Sequence, residues 1–234
     1  MIELLVVILL IAVLLSLLLP ALKHARENAR AAVCLSNQRQ IITASHAYAR
    51  DYHDLVPREG HVGEGDNWPV WCVVLRPYLG DETRDDAFEF AIGYHDPARA
   101  RDAHLVNYVV NGFPFSRAGV DARGSGASRF RRGPVSLASI QFPSTLIYDS
   151  DFGDDLDGTL LEQIDNWRSW GDAGIGQFYD VWATEHLTGA RLGWKRHFAR
   201  SAGTGRFDGS AAMLNSDAVL VPAAWDDRLW QLSR

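Results

Sequence analysis

Five aspartates, Asp149, Asp151, Asp154, Asp155 and Asp157, crowd into the stretch DSDFGDDLDG. Closely spaced carboxylates on a loop are calcium ligands, which makes this the chain's best calcium candidate. It does not follow the EF-hand pattern: Gly153 stands where a ligand is required, and no glutamate closes the loop in register. A solvated acidic turn is the leading reading of the same residues. Cys34 and Cys72 are the only cysteines. Either they form one disulfide joining two parts of the chain in an oxidising compartment, or they are two buried thiols. His197 precedes Asp208 and Gly209 in KRHFARSAGTGRFDG, and the two polar residues are expected to face each other across a hairpin and hydrogen-bond. The leading reading of that role is structural, since no nucleophile stands beside them, and a metal or catalytic role is the other reading. The chain carries no HExxH, paired CxxC, GxSxG elbow or phosphate-cradling glycine loop, so an enzyme is not expected. Glu3 is a carboxylate in an otherwise apolar run. It either reaches the headgroups from its place near the terminus or is met by a partner on a neighbouring chain, most plausibly a free α-amino group.

The elements that must position these residues begin with the first forty positions. Residues 2–19 are apolar except for Glu3 and Ser16, and Pro20 closes the run. That length suits a helix crossing about 30 Å of hydrocarbon. A cleavable signal would open on a basic region and end at a small-residue cleavage site; this run does neither, so the segment is expected to stay in the mature protein. Beyond Pro20, small and apolar residues recur at Leu22, Ala25, Ala29, Ala32, Val33, Ile41, Ala44, Tyr48 and Tyr52, in helical steps. One helix of about 75 Å is therefore expected to run to about Tyr52. The domains follow: a stalk helix over 1–53, with its span at about 2–19, and a globular head over 54–234.

In the head, WCVVLRPYLG is expected to be a short helical segment ending at Gly80, and residues 87–92 one strand. HLVNYVVNGFPF reads as a strand with a turn at Asn111-Gly112, and Thr145 to Tyr148 as a buried strand. Residues 117–134, rich in Gly, Arg and Ser, read as an exposed loop. After His197 the expectation is a strand, a glycine-rich turn over 201–205, a strand ending at Asp208-Gly209, and a further pair at 212–214 and 218–221. Trp167, Trp170, Trp182 and Trp194 are read mainly as core, with stacking on sugar rings as the other use of exposed aromatics. The net charge of -6 and pI near 5.7 argue against a nucleic-acid surface, and no nucleic acid is expected as a partner.

IELLVVILLIAVLLSLLLPAL, followed by ARENARAAVCLSNQRQI, resembles the N-terminus of type IV pilin-like proteins, including type II secretion pseudopilins. Glu3 matches the early glutamate of that family, and Pro20 the proline that kinks its stalk. The NQRQI, WCVVLRPYLG, NYVVNGF and FPSTLIYDSD segments fall in the order of its large-head subset. His197, Asp208 and Gly209 resemble the C-terminal His-spacer-Asp-Gly element of that subset, with a spacer one residue longer than usual, while the subset's Cys-Pro is absent. The resemblance implies an α+β fold, with a long N-terminal helix packed on an antiparallel β-sheet head. It also implies a structural subunit, a pseudopilin or minor pilin, whose Glu3 meets the terminal amine of an adjacent subunit.

Its partners would be other pilin-like subunits, the inner membrane and, if a basic leader lies upstream of Met1, prepilin peptidase. An internal start at Met1 is the favoured account of that missing leader. Lys23, Arg26 and Arg30 after the span would by themselves keep the head in the cytoplasm. The resemblance implies the opposite: a single-pass inner-membrane protein with its head outside the cytoplasm, and a periplasmic or surface filament after assembly. The alternative from another class is a permanently anchored protein whose aromatic-rich head binds a glycan.

Overall fold

Leu and Ala, both good helix formers, are the commonest of the first fifty residues, which form one helix, α1, over Ile2–Asp51. The computed structural model describes residues 2–58, 62–63, 66–67, 70–80, 94–99, 106–113, 134–153, 179–181, 186–187 and 191–226. The helix runs through Pro20 and ends where Asp54 N–H reaches the Ala49 carbonyl at 2.7 Å. His53 and Asp54 then take left-handed backbone angles and turn the chain into β1, Leu55–Val56.

The two halves of α1 meet different surroundings. Its apolar half is fully exposed, Leu4, Leu10, Leu14 and Leu18 among it, whereas Cys34, Asn37, Gln38, Ile41, Ile42, Ser45, Tyr48 and Ala49 are buried. Those steps of three and four make one stripe lying on the head. The expected apolar face is corrected in part: Ile41, Ala44 and Tyr48 belong to the stripe, but Leu22, Val33 and Tyr52 are exposed. Polar Asn37 and Gln38 take places in the stripe because their amides find hydrogen-bond partners beneath the helix.

After β1 come β2, Val62–Gly63, and β3, Asp66–Asn67, paired antiparallel. The expected helical segment is α2, Trp71–Val74, continued by a 3-10 turn over Arg76–Leu79 and stopped at Gly80 with φ 74°. The remaining strands are β4, Tyr108–Asn111; β5, Val135–Ser136; β6, Ile147–Asp151; β7, Asp180–Val181; β8, Ser201–Arg206; and β9, Ala211–Asn215. Five of them form a sheet in the order β7-β4-β6-β8-β9, antiparallel except for the parallel β4–β7 pair, and β1 pairs with β5. The architecture is α+β, a long apolar N-terminal helix with its second half lying across β8, β6 and β9. The expectation of one strand over 87–92 and the loop at 117–134 fall outside the described residues, apart from Pro134.

The C-terminal expectation needs two corrections. The glycine-rich stretch 201–205 is not a turn but most of β8, and the turn is Asp208-Gly209, with Gly209 at φ 92°. Glycine serves there for closeness rather than for bending. A Cβ on Gly203 would lie 2.8 Å from both Cys34 Sγ and Gln38 Oε1, so its absence lets α1 rest directly on the strand. Nor do residues 218–221 form a strand: α3, Ser216–Val219, opens with Asn215 accepting from Ala218 N–H at 3.0 Å.

Asp54 ties the end of α1 to β5, accepting from Ser136 Oγ at 2.6 Å and Ala138 N–H at 2.9 Å. These two donors favour its charged form and hold its carboxyl below the usual carboxylate range. A depressed pKa gives stability that is present above the unfolded value and lost as pH falls through the folded one. Asp54→Asn should therefore melt below the parent at neutral pH, with the gap closing in acid as the carboxyl takes up its proton. Thermal melts of both proteins at neutral and acid pH check this; a gap that persists in acid would assign the loss to something other than charge.

A buried Cys-Asp-Asp-His cluster between stalk and sheet

Four segments bring one side chain each to the same place: Cys34 from α1, Asp96 from the 94–99 segment, Asp151 from the end of β6, and His197 from the turn before β8. All four are buried, and one donor atom from each lies within 4.8 Å of every other. Period two along β6 places Asp149 and Asp151 on the same side of the strand, beneath α1. Cys34 Sγ donates to Asp151 Oδ1 at 3.1 Å, and Gln38, one turn further along α1, donates to the same oxygen at 3.3 Å. The other carboxylate oxygen accepts Gly203 N–H at 2.7 Å.

Asp96 is held from both sides. Its Oδ1 accepts Ala98 N–H at 2.8 Å, its own N–H donates to Asn107 Oδ1 at 2.9 Å, and Arg196 Nη1 meets its Oδ2 at 3.2 Å. Arg196 also donates to the carbonyls of Asn107 and Phe152, which fixes the guanidinium against the strand ends. His197 Nε2 stands 3.2 Å from Asp151 Oδ2 and 3.7 Å from Asp96 Oδ2, yet it makes no aligned hydrogen bond. The turn presenting it is strained: Ala199 and Arg200 both have left-handed backbone angles, φ 59° and 56°.

The electrostatics follow from burial and proximity. Burial, reinforced by Asp151 and Asp96, pushes the Cys34 thiol well above its ordinary pKa. Burial and Asp151 also raise Asp96, while Arg196 pulls it back. For His197 burial opposes the charge, but the two carboxylates outweigh it and its pKa is raised. Beside the cluster, Asp149 is wholly buried with neither carboxyl oxygen hydrogen-bonded, and burial with Asp151 nearby raises its pKa strongly. The group is thus a thiol, an imidazole and two carboxylates, all buried and converging on one place, a donor set suited to holding a cation.

Several expected site residues lie elsewhere. Asp149 and Asp151 are not in a solvated turn or a calcium loop; both are buried in β6 under α1, because the strand carries straight on through them. Asp154, Asp155 and Asp157 fall outside the described residues. The Cys34–Cys72 disulfide is corrected: both thiols are free, Cys34 aimed at Asp151 and Cys72 buried in α2. His197 and Asp208 do not bond to each other. Asp208 Oδ1 accepts Ser210 N–H at 2.9 Å in the β8–β9 turn, while His197 faces Asp151 and Asp96. Trp194 is half-buried with the Lys195 ammonium 4.6 Å from its ring centre, and Trp167, Trp170 and Trp182 lie outside the described residues. Glu3 sits in the exposed first turn of α1 and Pro20 inside the helix. Sequence reasoning missed Asp96 altogether, although an aspartate followed by proline and fixed by its own Asx turn was a local signal that the loop is ordered.

A family model described as "Protein of unknown function (DUF1559)" matches residues 23–197, a span that includes all four members of the cluster. No curated protein and no solved structure matches the chain.

Proposed function

The chain belongs to the DUF1559 family, and from that premise we propose that it is a structural, membrane-anchored subunit of a type II secretion or type IV pilus-like filament. The observation that carries this reading is the unburied half of α1. Its most hydrophobic window has no buried residue, and the helix fits a single membrane anchor by length and composition. Sixteen large apolar side chains from Ile2 to Leu22 stand exposed, each at 49% or more. At about 1.5–3 kcal/mol per side chain, leaving them in water would cost on the order of tens of kcal/mol. They require either lipid or other copies of the same rod, and a pilin-like life cycle uses both in turn. Identical rods joined through a heterologous contact build an open helical filament.

Glu3 supports the assembled state. Its carboxylate sits in the first turn of an apolar rod, where only a partner charge makes deep burial tolerable, and a neighbouring amine is the natural one. In this reading the inner membrane holds the subunit before assembly, with the head outside the cytoplasm. The head's role is structural rather than catalytic.

Glu3→Ala is expected to leave membrane insertion unchanged while filament recovery falls roughly tenfold or more, because the partner charge is left buried and unmatched. Quantifying the subunit in membrane and sheared-filament fractions reads this directly. Equal recovery of parent and variant in the filament fraction would sink the assembly role and leave a permanent anchor.

A further inference from the structure

We propose that Cys34, Asp96, Asp151 and His197 bind a zinc ion that clamps the stalk helix to the head. The inference is independent of how the stalk assembles, since it concerns the buried half of α1 alone. Thiolate, imidazole and carboxylate are the side chains that zinc takes, whereas calcium takes oxygen ligands and would leave Cys34 and His197 idle. With Zn–N and Zn–O bonds of about 2.0–2.2 Å and Zn–S of about 2.3 Å, tetrahedral ligand atoms stand about 3.3–3.6 Å apart. His197 Nε2 lies 3.2 Å from Asp151 Oδ2 and 3.7 Å from Asp96 Oδ2, and Cys34 Sγ lies 3.1 Å from Asp151 Oδ1. The two Asp151 distances run to different oxygens, and with one ligand atom taken from each residue the four lie within 4.8 Å of one another, a gap that small side-chain rotations close around an ion.

A second observation points the same way. The His197 side chain is only 3% exposed, and its Nε2 is aimed into the cluster, within ion-pair range of both carboxylates but without an aligned hydrogen bond. A buried ring nitrogen poorly served by its neighbours is destabilising, and a metal ion at the centre would take it as a ligand. The surrounding contacts are those of an outer shell that fixes ligand orientation. Ala98 N–H holds Asp96 Oδ1 and leaves Oδ2 facing His197, Gly203 N–H and Gln38 hold Asp151, and Asn37 holds the Tyr108 hydroxyl.

On binding, the Cys34 S–H gives its proton to solvent and the sulfur becomes a thiolate ligand. The thiolate and the two carboxylates are then matched by the dication together with the Arg196 guanidinium, 3.2 Å from Asp96. With four protein ligands the shell is closed, which makes the site structural. Cys34 is its one ligand from α1, so the ion would tie the stalk to the sheet.

The test uses the full chain in detergent, stripped with chelator and reloaded with zinc or cobalt(II). Expected are one zinc per chain by elemental analysis and, with cobalt, tetrahedral d–d absorption together with a near-ultraviolet thiolate-to-cobalt band. Cys34→Ser should abolish the thiolate band, His197→Gln should weaken binding by about a hundredfold or more, and Cys72→Ser should change neither. Circular dichroism identifies any variant that fails to fold, and the cobalt spectrum of the parent decides the matter even then. A folded parent chain that takes up no stoichiometric zinc and gives no thiolate-to-cobalt band overturns the proposal, as does an undiminished band in Cys34→Ser.

Discussion

Gly205→Ala is expected to lower the thermal midpoint of the chain by on the order of 10 °C, the counterpart of about 3 kcal/mol in a protein of this size. The cause is contact rather than backbone freedom. A Cβ at this position would fall inside the contact distance of both the Asp149 carboxyl and the Ile42 side chain. Both contacts are side-chain tips, but Asp149 in β6 and Ile42 in α1 are buried, so either can give way only by repacking the space between strand and helix. Gly205 pairs with Asp149 across the β6–β8 ladder, at the place where the register shifts between Ile147 and Asp149. Gly80 supplies the comparison. It has φ 74° and nothing within 4 Å of a built Cβ, so Gly80→Ala costs only the left-handed strain, about 1 kcal/mol. Should Gly205→Ala melt no lower than Gly80→Ala, α1 would not be resting on β8 as described.

Asn111→Ala should cost about 3–5 kcal/mol, read as a fall in the urea midpoint with the slope unchanged. Asn111 is fully buried at the end of β4, and its side chain serves three backbone groups at once. Its amide donates to the Ile147 carbonyl at 2.7 Å and the Trp225 carbonyl at 2.8 Å, and its oxygen accepts Phe113 N–H at 2.9 Å. Alanine would strand all three in a place water does not reach, and each stranded group costs about 1–3 kcal/mol. Buried Arg58 donates to the carbonyls of Asn111 and Phe113 and would lose its fixed target as the strand end loosens. Because the Trp225 carbonyl is one of the three groups stranded, limited proteolysis should cut around it faster in the variant. A loss below about 1 kcal/mol would show that the three groups find other partners.

Much of the architecture was legible because it is written in local pattern. The apolar run, the helix continuing past it, the helical turn at WCVVLRPYLG and the strands at Tyr108 and Ile147 each show in a window of ten to twenty residues. The glycine-rich stretch before Asp208 was misread for an equally local reason. Glycine signals a turn on its own, and only the helix lying over Gly203 and Gly205 makes closeness the reason for it.

The cluster was harder, since Cys34, Asp151 and His197 each have a local explanation and Asp96 draws no attention in its own stretch of sequence. Cys34 and Asp151 are 117 residues apart, Gln38 and Asp151 113, and Arg196 and Asp96 100. Apolar periodicity finds the stripe of a helix by skipping polar residues, so it passes over Asn37 and Gln38, which lie beneath the stalk. A carboxylate is read as solvated unless its partners are in view, and those of Asp151 come from α1, β8 and the turn before it.

By itself, then, the sequence determined a long helix with an apolar end, followed by a head of short strands and helical turns, because periodicity and length decide how a segment meets water. Only the tertiary structure decided which polar groups meet in the interior. Hydrogen-bond and charge partners are chosen by geometry across the whole chain, and no window of sequence contains them.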